Sequence, residues 1–248
     1  MANFQEEFNT VRLWRTAEEW IVIIAAVFLV AEFVLMRVTA LSRLVSLLQI
    51  ATCLLAVGAV VCTIVSDFLL FQAEEDKRAD LLDNAFGSHL AENESSGYYN
   101  NNTLPKGLNK LAMNNFESSF FTYRIMRSGL FAQGLILAIV LIAYLLVSLT
   151  AGRDVMILLI QLALPLDAIV NAVRYFTTFS RVKTNYHSYR QLYDSNKEPR
   201  PVDLIANILS YTATLAYGKT ILSQKRYLKM NTSLSADWEI IYKTILST

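Results

Sequence analysis

Hydrophobic positions along this chain gather into four long runs, arranged as two pairs with polar sequence before, between and after them. The first run covers 20–36 (WIVIIAAVFLVAEFVLM), the second about Leu44–Phe71, the third about Ser128–Leu149 and the fourth about Val155–Val173. A helix rising 1.5 Å per residue needs about 20 apolar residues to cross the hydrocarbon core of a bilayer, so each run is read as a spanning helix. Very short turns, one bracketed by Arg37 and Arg43 and the other TAGRD, close each pair into a hairpin. The expected fold is therefore all-α: four transmembrane helices in two hairpins, some of them extended as cytoplasmic stalks, followed by C-terminal helices.

Helix-breaking residues set the expected ends. Neither Gly nor Pro occurs between Ala59 and Phe86, so the second span should continue through EEDKRADLLDNAF and stop at Gly87. Leu82, Ala85 and Phe86 give that extension an apolar stripe at helical spacing. A loop rich in Gly, Asn and Ser follows, and helical pattern resumes near Leu108 and runs through Met126 into the third span. Pro165 should kink the fourth span and free the carbonyl of Gln161. Beyond it a stalk carries Tyr186, Tyr189 and Tyr193 until Pro199 and Pro201 end it. Pro201–Ser223 reads as a cytoplasmic core helix, because Asp203, Asn207 and Lys219 suit a fifth span poorly. A last helix, near Ser235–Leu246, places Trp238, Ile241, Tyr242 and Ile245 on one packing face. The resulting divisions are an N-terminal arm (1–19), a first hairpin (20–71), a cytoplasmic helical hairpin (72–127), a second hairpin (128–173) and a C-terminal tail (174–248).

Composition agrees with a membrane protein: 54% hydrophobic, 17% charged and a mean hydropathy of +0.36. The net charge of +1 supplies no field for direct nucleic-acid binding. Orientation follows from where the 22 Lys and Arg sit, for only Arg37, Arg43 and Arg153 lie in the short turns. The positive-inside rule puts both termini and the central island in the cytoplasm of a multi-pass inner-membrane protein. Glu6, Glu7, Glu18 and Glu19 precede the first run, which reads as a retained helix and not a removed signal. Cys53 and Cys62 lie on one predicted helix about 13 Å apart, too far to bridge. His89 and His187 have no ligand spacing, and no catalytic motif appears, so neither enzyme, metal site nor cofactor is expected.

The chemistry that remains lies inside the spans. Glu32 falls about 18 Å along the first span from Trp20, where an unpaired carboxylate costs about 3 kcal/mol or more. Gln49 and Gln161 sit at similar depth, while Gln133 is level with Asp167 and Asn171 nearer the cytoplasm. Two polar layers result. They line a polar pore, formed on homo-oligomerisation, or they hydrogen-bond the helices together. In the central loop Tyr98, Tyr99 and Asn100 are candidates for stacking on a ligand or a partner.

The stretch ADLLDNAFGSHLAENESSGYYNNN, then NNFESSFFTYRIM entering a span, resembles the SMODS-associated four-transmembrane effectors of bacteria. The likeness rests on the acidic-aromatic-Gly pattern at Asp83, Phe86 and Gly87, on the loop and on the flanking spans; Phe120 and Phe121 stand where that family carries Trp. The resemblance implies anti-phage immunity, with membrane perforation triggered by a cytosolic signalling enzyme or its cyclic nucleotide. A non-conducting sensor or scaffold that recruits a partner defence protein would carry the same architecture.

Overall fold

The computed structural model describes residues 3–35, 42–91, 101, 103–150, 155–194 and 198–246. Within the helices the side chains of 3–5, 33, 143–144, 146–150, 155–165, 167–168 and 246 lie outside that description. Six helices and no strand are found among the described residues: α1 (Asn3–Leu35), α2 (Ser42–Phe86), α3 (Leu108–Thr150), α4 (Val155–Asp194), α5 (Pro201–Gly218) and α6 (Gln224–Leu246). The fold is all-α, as the pattern predicts. Contacts divide the chain into two compact units. The apolar unit holds Glu7–Leu70 and Ala132–Val173, and the aromatic unit holds Met1–Glu6, Phe71–Phe131 and Arg174–Thr248.

Among the described residues two helices, α2 and α3 over Leu108–Ile142, are long and apolar enough to cross a membrane. Only 11% and 17% of their most apolar stretches are buried, the opposite of a soluble core helix. The sequence pattern expects four such helices. Much of the apolar run of α4, and part of that of α1, lies among side chains outside the described residues.

Several predicted ends coincide with the observed ones. α2 runs unbroken for 45 residues to Phe86. It stops because Gly87 turns left-handed (φ 72°), its N–H donating to the Asp83 carbonyl at 2.7 Å. The N–H of Gly107 donates to the Ala85 carbonyl at 2.8 Å, fixing the start of α3 against the end of α2. α5 begins with Pro201 in its first turn, where the missing N–H costs nothing. The last helix begins earlier than expected: α6 starts at Gln224, since nothing between Lys225 and Leu234 breaks a helix.

The aromatic unit is built around Phe116. Its ring lies 5.1 Å from that of Trp238 on α6, and 5.5–5.9 Å from those of Tyr189, Tyr193 and Tyr186 on α4. Leu204, Ile208 and Tyr211 of α5 join the same core. The predicted face of the last helix packs here: Trp238 is buried, and Ile241, Tyr242 and Ile245 lie against the cluster. Burial of several aromatic rings gives this unit a large hydrophobic driving force.

Candidate functional site

In the apolar unit the buried positions of α1 are Val11, Glu18, Ala25 and Glu32, one every seventh residue. Facing them, α2 buries Val45, Thr52, Cys62, Ser66 and Leu70. Large apolar side chains point outward instead, among them Ile23, Val27, Val34, Leu54, Val60 and Ile64. Small and polar residues inside with large apolar residues outside is the pattern of helix packing in lipid. A seven-residue repeat is close to two helical turns, so these four positions form one stripe along α1.

Polar rungs cross that seam. Glu32 is only 4% exposed, and the Thr52 hydroxyl reaches its Oε1 at 2.8 Å. The same hydroxyl lies 2.9 Å from the Leu48 carbonyl of its own helix. The Thr52 hydroxyl proton is shared between these two acceptors as a three-centre hydrogen bond. Toward the other end of the seam, Thr63 Oγ1 lies 2.8 Å from Glu18 Oε1. Arg15 spans Glu18 (3.2 Å) and Asp67 (2.6 Å), neutralising a buried carboxylate. The pairings 15–67, 18–63 and 32–52 fix one antiparallel register.

Of the predicted polar layers, Glu32 is therefore closed by a partner within its own hairpin. Thr52, which supplies it, is not among the predicted residues. Gln49 is half-buried one turn before Thr52 on α2. Gln133 on α3 and Asn171 on α4 are also half-buried, and Asn171 has a partner. Gln161 and Asp167 lie on α4, with side chains outside the described residues, as are the surroundings of Pro165. Tyr98, Tyr99 and Asn100 lie outside the described residues altogether.

In the aromatic unit the neighbouring Asn101 is buried and is itself the latch to α3. Its amide donates to Asn114 Oδ1 (2.8 Å) and to Glu117 Oε2 (2.9 Å), while Asn114 donates to Asn84 of α2 (3.0 Å). Burial raises the Glu117 carboxyl above its ordinary range, against the lowering effect of Asn101. Asp83 behaves oppositely. Burial alone would raise it, but the N–H groups of Ala91 and Leu90, the Ser88 hydroxyl and nearby His89 hold it below the usual carboxylate range. Asp83 and Gly87 thus have a local task, ending α2 and ordering 88–91, whereas Phe86 is exposed. The buried hydroxyls of Tyr189 and Tyr193 have no hydrogen-bond partner.

No family model matches the chain, nor does any curated protein or solved structure. The seam and the latch must speak for themselves. Among the described residues no group of His, Cys, Asp or Glu could hold a metal ion. A 550 Å³ cleft does lie between the starts of α3 and α5, lined by Lys106 and Arg200. Its arginine is already held by Asp203 at 2.7 and 2.9 Å, so it offers little free charge to a ligand.

Proposed function

We propose that the chain is a four-span membrane effector of bacterial anti-phage defence, closed at rest and opened by a signal delivered to its aromatic unit. In this reading α1 and α4 complete the four spans, and both termini and the aromatic unit are cytoplasmic, as the Lys and Arg distribution suggests. The observation that carries it is the seam: Glu18, Glu32, Arg15 and Asp67 lie between two helices whose outer faces are apolar. An anchor needs no such groups, since apolar packing serves as well or better. Parting of α1 and α2 in an oligomer would turn the seam into a polar lining, together with Gln49, Gln133, Gln161, Asp167 and Asn171. The defence role comes from the resemblance around Asp83 and Gly87.

A non-conducting sensor or scaffold is the second reading, and the in-hairpin closure of Glu32 by Thr52 favours it. Membrane potential during phage challenge separates the two. For the effector, cells expressing the wild type depolarise on challenge and cells expressing Glu32→Ala do not. An unchanged potential with protection retained selects the scaffold.

A further inference from the structure

The connector between α5 and α6 is held at the end of the aromatic unit where α3 and α4 leave it, and two independent registers say so. α5 runs antiparallel to α4. Ser210 donates to Asn185 at 2.7 Å, the Thr214 hydroxyl is 3.3 Å from Asn185, and Thr220 reaches Thr178 at 3.4 Å. Gly218 seats against the Thr178 side chain, where a Cβ would not fit. Continued by the same register, Arg174 of α4 falls opposite Leu222. α6 runs antiparallel to α3, with Asp237 on Arg124 at 2.8 Å and Arg226 packed over Gly129 beside the Tyr175 hydroxyl. That register carries the end of the unit on α3 to Gln224. The two estimates meet within one helical turn.

The composition of this connector is that of a lipid-facing segment. At the helix ends that flank it, Tyr217 is 81%, Leu228 65% and Tyr227 38% exposed. Lys219, Lys225 and Lys229 are exposed among these residues. No acid occurs between Asp203 and Asp237, nor on α4 between Asp167 and Asp194. The acidic run Glu74, Glu75 and Asp76 lies on α2 soon after it enters the unit at Phe71, with Glu74 paired to Lys77 at 3.7 Å. Lys219 turns left-handed (φ 47°) just past the last turn of α5 and ends that helix. Exposed Tyr and Leu with interleaved Lys is the composition that seats in a headgroup layer, the rings at the interface and the cations on anionic lipid.

We infer that the α5–α6 connector is a membrane-surface foot, inserting Tyr217, Tyr227 and Leu228 into the leaflet while Lys219, Lys225 and Lys229 engage anionic headgroups. The inference rests on the membrane-spanning reading, and the test separates the two. The full-length chain, with Cys53→Ala and Cys62→Ala, would carry a nitroxide at Leu228→Cys, at Ile240→Cys or at Val60→Cys. Each would be reconstituted in nanodiscs of phosphatidylcholine with or without phosphatidylglycerol, and collision with oxygen compared with collision with a water-soluble nickel chelate. Ile240 is exposed on the same helix about 18 Å further from the connector, and Val60 is exposed on α2. The foot predicts an oxygen-to-nickel ratio severalfold higher at 228 than at 240 in the anionic discs. The ratio should fall toward that of 240 in neutral discs and in Lys225→Gln/Lys229→Gln. A label at 228 as aqueous as that at 240 in anionic discs overturns the foot, and so does a ratio at 228 that ignores lipid charge. An aqueous label at 60 would instead overturn the spanning reading itself.

Discussion

The shared proton at Thr52 makes the seam testable one side chain at a time. Glu32→Gln keeps a hydrogen-bonding partner for Thr52 Oγ1 and should leave stability in bilayer nearly unchanged. Thr52→Val removes the rung and should cost about 0.5–2 kcal/mol, read by steric trapping in bicelles. Near-equal losses in the two variants would show that the rung needs the carboxyl itself and not merely a hydrogen-bonding partner for Thr52. Two glycines separate tight from loose packing. A Cβ at Gly218 would strike the short Thr178 side chain, so Gly218→Ala should destabilise the aromatic unit by about 1–3 kcal/mol. A Cβ at Gly58 would sit 3.8 Å from Ile21 Cδ1, an ordinary contact, and Gly58→Ala should be tolerated. The carboxyl of Asp83 is held low in the folded state, so its contribution is present above the ordinary Asp value of about 3.9 and fades as pH falls through the folded value. Melting of wild type and Asp83→Asn should differ by about 1–3 kcal/mol near neutrality and converge in acid. At this scale the sequence was partly legible. Glu32 announced itself by being ionisable inside an apolar run. Thr52 did not, because a threonine inside a membrane helix more often bonds only its own backbone, and the bond that matters here crosses to a residue twenty positions away.

Among the elements, α2, α3, the start of α5 and the end of α4 were readable from Gly, Pro and the 3.6-residue period, whereas α5 stops at Gly218 and not at Ser223. Those signals are local, and Gly87, Gly107 and Pro201 act within one turn of where they stand. The start of α6 was not readable, because Gln224–Leu234 is polar enough to pass for a loop although nothing in it breaks a helix. The stripe Val11, Glu18, Ala25, Glu32 was also missed. Its members are chemically unlike, and what they share is a face, not a property. On α4, burial raises the Tyr189 and Tyr193 hydroxyls above the ordinary phenol value. Their contribution is therefore complete below about pH 10, where unfolded tyrosine ionises, and is lost as pH rises beyond it. Alkaline unfolding followed by tyrosinate absorbance should begin near that pH. Since neither hydroxyl has a partner, Tyr189→Phe should be neutral or stabilising and should blunt this transition. A destabilised Tyr189→Phe would mean that a bound water or ligand fills the gap.

At the scale of the whole molecule, two compact units have opposite rules of burial. The aromatic unit hides its large rings, and Phe116→Ala should cost it about 3–5 kcal/mol, measured by denaturant with the apolar unit held in detergent. The apolar unit shows its large side chains and hides small and polar ones, which only a nonpolar surrounding rewards. Division of labour between membrane and cytoplasm follows if each unit occupies the solvent its surface suits. The seven-residue stripe of α1 adds a constraint on how such a chain can change over generations. One residue inserted between Glu18 and Glu32 turns the far half of the helix by about 100° and swings a carboxyl toward lipid. Seven inserted residues restore the phase but slide Glu32 about 10 Å past Thr52. Length variation in α1 is therefore confined to the part before Val11, while substitutions on its outward face, apolar for apolar, stay nearly free.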